Sequence, residues 1–224
     1  MHGLGTGLCR LDPKAEGGII LEMEQFSIRR PGIIGEEKFR QYAVLIPLIR
    51  ISGITYLLFE KRSNQLKRQP GEVCFPGGKL EEGESLEECA VRETSEELNV
   101  LPERIEVMGP GDIYLSPFNL MIHSFIGVIN DYQDTFSRDE VEEIIKVPLD
   151  FLSSQEPERF VSKLISEPPE DFPYEWIPGG VKYPWAKGTY DVLFYKYEDW
   201  IIWGMTAQIV KSAVKLMEEY HLIP

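Results

Sequence analysis

A mixed α/β domain is predicted from three features of the sequence. Short apolar runs rich in Val, Ile, Leu and Tyr are separated by Gly, Pro and charged residues, and two stretches show helical spacing. At 224 residues, 43% hydrophobic and 27% charged, the chain has enough apolar material for a substantial core. It is expected to form one domain, 1–224, with its core over about 40–220.

The runs Tyr42 to Ile51 and Ile54 to Phe59 flank Ser52-Gly53 and read as a tightly joined strand pair. Their nearly continuous hydrophobicity suggests central strands covered on both faces. A third strand, Glu72 to Phe75, ends at Pro76-Gly77-Gly78, a breaker cluster expected to turn the chain into a Glu-rich helix. Further strands are expected at Ile105 to Met108, Leu120 to Ile129, Ile144 to Leu149 and Thr189 to Tyr197. Thr206 to Tyr220 carries Ile209, Ala213, Leu216 and Met217 at helical spacing and reads as a packing helix. Between Ser154 and Lys187 six prolines predict an irregular surface excursion, long enough to face a substrate.

Composition narrows the function. The formal charge of −14 opposes nucleic acid phosphates, so no nucleic acid partner is expected. No apolar run reaches the roughly 18 residues needed to cross a bilayer, and Met1 to Arg10 lacks a secretory pattern, so a cytoplasmic protein without a membrane partner is expected. Cys9, Cys74 and Cys89 show no CxxC or Cys/His spacing, which supports neither a disulfide framework nor a zinc site. His2, His123 and His221 sit in no Ser or Cys nucleophile motif, so nucleophilic catalysis is not indicated.

From Gly78 to Val100 the chain reads GKLEEGESLEECAVRETSEELNV, eight Glu against Lys79 and Arg92. With Ser85 as N-cap, Glu87 and Glu88 in the first turn complement the helix dipole and need no other reason. Glu93, Glu96 and Glu97 lie later, where negative charge is unfavourable, within one wedge of about 100°. That wedge is expected to be exposed, opposite Val91, Thr94 and Leu98 in the core. Three such carboxylates suit Mg²⁺ or Mn²⁺, which bind oxygen and keep open positions for substrate phosphates. A solvated acidic helix is the competing reading, and on composition alone the commoner one.

At these positions the segment resembles the Nudix box, G-x5-E-x7-R-E-U-x-E-E-x-G-U, through Gly78, Glu84, Arg92, Glu93, Glu96, Glu97 and Val100. Six such polar or Gly matches arise by chance in roughly one per ten million windows. Thr94 replaces the aliphatic residue and Asn99 the final Gly, and Asn is the next best residue for a left-handed helix end. The resemblance implies a Nudix-type α/β/α sandwich with a central mixed sheet and a catalytic loop-helix-loop. It further implies that Glu93, Glu96 and Glu97 bind the cations, that Arg92 pairs with Glu84, and that the backbone of Gly77 or Gly78 approaches the metal. The catalytic set is then Glu93, Glu96, Glu97 and Arg92, with a loop glutamate as base. Glu140 is favoured over Glu143 for that base.

Upstream, following Leu57-Leu58, the segment Arg62 to Gly78 resembles the additional signature of coenzyme A pyrophosphatases, R-S-x3-R-x3-G-x-V-x-F-P-G-G. Arg62, Ser63, Gly71, Val73, Phe75, Pro76, Gly77 and Gly78 agree, and Lys67 stands for Arg, with Arg68 next to it. Lys61, Arg62, Lys67 and Arg68 form the one concentrated basic stretch of an acidic chain, suited to phosphate or, as the bland alternative, to surface pairing with Glu. The resemblance implies substrate contacts from Arg62, Ser63, Lys67, Arg68, Phe75, Gly77 and Gly78. The implied reaction is hydrolysis of coenzyme A to 3′,5′-ADP and 4′-phosphopantetheine by a monomer or homodimer. The alternatives are a Nudix pyrophosphatase for ADP-ribose, NADH or another nucleoside diphosphate derivative, and a non-catalytic nucleotide-binding Nudix module.

Overall fold

The computed structural model describes residues 31–222; Cys9, His2 and the reading of the N-terminus lie outside them. Two compact units are distinguished, 1–38 and Phe39–Pro224. In the first, the described residues include a single 3-10 turn, Glu36–Lys38. The sheets, their helices and the site lie in the second.

Strands β1 (Arg40–Ile51) and β2 (Ile54–Arg62) form the expected hairpin. Its two-residue turn has positive φ at both Ser52 (51°) and Gly53 (85°), the geometry that matches strand twist. β3 (Val73–Cys74) adds to β2, β4 (Gly77–Lys79) to β1, β5 (Ile105–Ser116) to β6 (Leu120–Ile129), and β7 (Val141–Pro148) to β2. The β1–β6 pairing is parallel and the others antiparallel, giving a mixed sheet of seven strands among the described residues.

Helix α1 (Leu86–Leu98) covers one face, packing Cys89, Ala90 and Leu98 against Ala43, Leu45, Leu58 and Phe125. The other face meets α2 (Leu149–Ser154), α3 (Gly204–Glu219) and a small antiparallel sheet of β8 (Glu158–Ile165), β9 (Lys187–Tyr197) and β10 (Trp200–Trp203). The α/β/α arrangement is therefore as expected, with a second sheet sharing the outer layer. Along β2 the sides alternate: Leu57 and Phe59 pack toward α3, Leu58 toward α1. All three are fully buried, and each such side chain stabilises the fold by roughly 1.5–3 kcal/mol.

The structure corrects three sequence expectations. The excursion from 154 to 187 is not wholly irregular, because it contains β8, paired with β9 from Glu158 to Ile165. The Gly77-Gly78 pair does not simply break the chain; it enters the sheet opposite Val44 and Ala43. The strand beginning at Ile105 continues to Ser116 through two register shifts, since its partner β6 keeps supplying backbone groups beyond Gly109 and Pro110. No helix among the described residues is long and apolar enough to cross a membrane.

Candidate active site

The site forms where the sheet divides. β1 pairs β2 through Leu48 to Ile51 and β4 through Tyr42 to Val44, so the far end of β2 and the Gly77-Gly78 segment diverge beneath the end of α1. Helix α1 is held at both ends by the residues the sequence indicated. Ser85 Oγ accepts from the Glu88 N–H at 3.2 Å while Glu88 accepts from the Ser85 N–H at 2.8 Å, a complete capping box. At the other end Asn99 takes the left-handed conformation, φ 50° and ψ 47°.

Arg92 grips Glu84 with two hydrogen bonds, Nε to Oε2 at 3.0 Å and Nη2 to Oε1 at 2.9 Å. The Glu81 N–H also donates to Glu84, and together with Arg92 this holds the Glu84 carboxyl down at about 2. The loop leading into α1 is thereby tied to the middle of the helix.

The two glycines make room rather than merely turn. At Gly77, φ is 151° and a Cβ would stand 2.4 Å from the Ala43 carbonyl; at Gly78 it would stand 2.1–2.4 Å from the Glu93 carboxylate. Glu93 is half-buried and accepts from Arg92 at 2.9 Å. Glu97, placed on an exposed wedge by the sequence, is instead only 3% exposed. The wedge lies against the divided sheet rather than in solvent, and the Gly77 N–H donates to Glu97 Oε2 at 2.8 Å. Burial, and then the charge of Glu60, push the Glu97 carboxyl up to about 9. Glu96 turns outward, its side chain 61% exposed. The three carboxylates thus do not converge as a trio: among the described residues no group of three Asp, Glu, His or Cys is gathered as a ready metal cage.

A cleft of about 720 Å³ opens beside Glu93 and Glu97. Of the expected site residues, Arg62, Arg68, Phe75, Gly77, Gly78 and Glu140 line it with them. Ser63, Lys67, Glu96 and Arg92 do not. Ser63 is buried, and its N–H donates to the Glu140 carbonyl at 2.8 Å, so its place in the structure is to fix that loop. Phe75 stacks on Phe59 with ring centroids 4.6 Å apart. Lys61 is engaged by Glu142 at 2.9 Å and lies over Trp200, away from the cleft.

Comparison with known proteins decides the family: the NUDIX domain pattern matches residues 39–166, more than half of the chain. The chain belongs to the Nudix family. It is 35% identical over 134 residues to the peroxisomal coenzyme A diphosphatase NUDT7 of Mus musculus, a match covering 59% of this chain and 56% of that protein. It is 36% identical over 115 residues to Nudix hydrolase 3 of Caenorhabditis elegans, covering 49% and 48%. It is 30% identical over 197 residues to the uncharacterized Nudix hydrolase NudL of Citrobacter koseri, covering 85% and 90%. The match spans about half the length of the murine and nematode relatives.

Beside the residues of the matched Nudix domain, the cleft also holds residues that the sequence did not single out as ligands: Arg40 and Tyr42 from β1, Lys79 from β4, and, beyond the match, Met205, Thr206 and Ile209 from α3. Lys79 follows Gly78 at a variable position of the Nudix box; the other five lie outside the box, and only folding brings them beside it. A further residue, Glu60 on β2, is fully buried, and its Oε2 has no hydrogen-bond partner among the described residues. Burial pushes its carboxyl up to about 7 against the opposing pull of Cys74 and Arg62. An orphaned buried carboxylate oxygen, a buried Glu97 and a half-buried Glu93 are hard oxygen donors with an excess of negative charge, which fits a divalent cation.

Proposed function

We propose that this Nudix domain hydrolyses the pyrophosphate bond of coenzyme A in the presence of Mg²⁺ or Mn²⁺, giving 3′,5′-ADP and 4′-phosphopantetheine. One observation carries the reading: Glu93 and Glu97 line the same cleft as Arg62 and Arg68, so acidic groups suited to a cation face basic groups suited to phosphate. The resemblance of Arg62 to Gly78 to the coenzyme A signature supports the substrate, as does the likeness to a relative named a coenzyme A diphosphatase.

Glu93, Glu96 and Glu97 are the proposed cation ligands, with the backbone of Gly77 beside them: Glu93 and Glu97 from the cleft wall, and Glu96 by turning its exposed side chain back toward them. A bound cation supplies charge neutralisation at the bridging phosphates and acidifies the attacking water. The chain does the rest. Arg92 clamps Glu84 and so sets the loop that presents Gly77 and Gly78. The Gly77 N–H fixes the Glu97 carboxylate in place, and the guanidinium groups of Arg62 and Arg68 orient the phosphates. Glu140, on the cleft wall, accepts the proton of the water as it attacks phosphorus. Ser63 acts at one remove, through its bond to the Glu140 backbone. Lys67 and Phe75 complete the proposed substrate-binding set. The same reading has the protein act in the cytoplasm as a monomer or homodimer.

Product analysis across a panel of coenzyme A, ADP-ribose and NADH, with and without magnesium, tests the proposal. Magnesium-dependent release of 3′,5′-ADP, faster than turnover of the other two, is expected. Preferential release of AMP from ADP-ribose or NADH would reassign the substrate, and no turnover of any would leave a nucleotide-binding module.

A further inference from the structure

Glu60 is the least expected charge in the core. It follows Leu57, Leu58 and Phe59 in β2, all fully buried, and is itself 0% exposed. Alternation puts it on the side of Leu58, which packs toward α1, and therefore on the side of Glu97. The strand pairing sets Cys74 directly opposite, and the Cys74 thiol donates to Glu60 Oε1 at 3.4 Å. The other oxygen, Oε2, has no partner, and neither has the buried Nε of Arg62 two residues on. Cys74, Arg62 and Glu97 all line the cleft, so Glu60 stands immediately behind its wall.

The charges there do not balance. Arg92 is committed to Glu84 and Glu93, which leaves Arg62 as the guanidinium facing both Glu60 and Cys74. A buried carboxylate with a free oxygen is costly, and a neutral or apolar residue of similar size would serve packing better. A cation on the cleft side of Glu97 removes that cost.

We infer that Glu60 is a fourth carboxylate of the cation centre, drawn in from the sheet side when a divalent ion is taken up by Glu93 and Glu97 from the helix side; among the described residues the three are not gathered without it. The inference rests on the cation chemistry proposed above. It adds a strand residue, outside the loop-helix-loop, to the groups that set cation affinity.

Manganese titration of the full chain without substrate, followed by the electron paramagnetic resonance signal of free Mn²⁺, tests it. Glu60→Gln keeps the shape and the Cys74 contact but removes the charge. Its Mn²⁺ affinity is expected to fall at least tenfold, while circular dichroism is unchanged and the cation-free melting temperature is equal or higher. Glu60→Thr, which removes the carboxylate altogether, is expected to lose affinity equally. An affinity within twofold of the parent in either folded variant would overturn the inference alone. Failure of both variants to fold would also overturn it, because a cation ligand is not needed for the cation-free fold. A parent chain that takes up no Mn²⁺ would remove the inference and the proposed function together.

Discussion

The Gly77 N–H donates to Glu97 Oε2 across 2.8 Å, tying the last acid of the α1 wedge to the glycine that enters the sheet. This bond joins the loop and the helix on the wall of the cleft. It also makes Glu97 a buried residue with a defined position.

Glu97→Gln should reduce turnover by at least about a hundredfold, on the scale of losing a preorganised electrostatic group. The amide oxygen can still accept from Gly77, and the buried site no longer holds a group that must be protonated on folding, so the fold should be retained and the cation-free melting temperature should not fall. Steady-state kinetics with a thermal melt check both halves. Activity within severalfold of the parent would remove Glu97 from the site.

Gly78→Ala separates position from stability. The added Cβ meets first the carboxylate end of the Glu93 side chain, at 2.1–2.4 Å, so Glu93 should be displaced and activity should drop at least tenfold, with stability changing by about 1 kcal/mol. Gly77→Ala instead meets the Ala43 backbone at an unfavourable φ and should cost about 1–3 kcal/mol or more. Denaturant unfolding and kinetics on the pair distinguish the two effects.

Arg62→Ala and Arg68→Ala should raise KM for coenzyme A more than for ADP-ribose, because the extra 3′-phosphate is the group that distinguishes them. Arg68 is exposed and makes the cleaner test; Arg62 also faces buried Glu60. Equal losses on both substrates would assign the arginines to the shared diphosphate or to structure.

The raised carboxyl of Glu97 predicts a pH-dependent response to cations. Folding favours its protonated form, so cation-free stability falls as pH rises from the ordinary value of 4.5 towards about 9. A cation that compensates the charge should therefore raise the melting temperature more at pH 8 than at pH 5. At a hundredfold excess over Kd the gain is about 2.7 kcal/mol, or roughly 5–10 °C for a chain of this size. Glu97→Gln should flatten the cation-free slope, and an unchanged slope would contradict the assignment of that charge.

What could be read in advance was set by short-range spacing. The Ser85–Glu88 capping box, the left-handed Asn99 and the Arg92–Glu84 pair each depend on residues within one loop-helix segment, so sequence offsets locate them. Burial of Glu97 escaped because helical periodicity finds a shared wedge but not what covers it, and the cover is Gly77, twenty residues away. Arg40 and Met205 reach the cleft through the β1–β4 pairing and the start of α3, which no local pattern encodes. β8 escaped because ERFVSKLI has no fully buried position and so lacks the alternation that marks a half-buried strand.

Anomalous diffraction from crystals soaked in manganese shows whether the acids on α1 and the Gly77 turn seat a divalent ion. A manganese peak is expected within bonding distance of the Glu93 and Glu97 carboxylates, at the cleft face of Gly77. A map with no peak there, and both side chains unmoved after soaking, would contradict it.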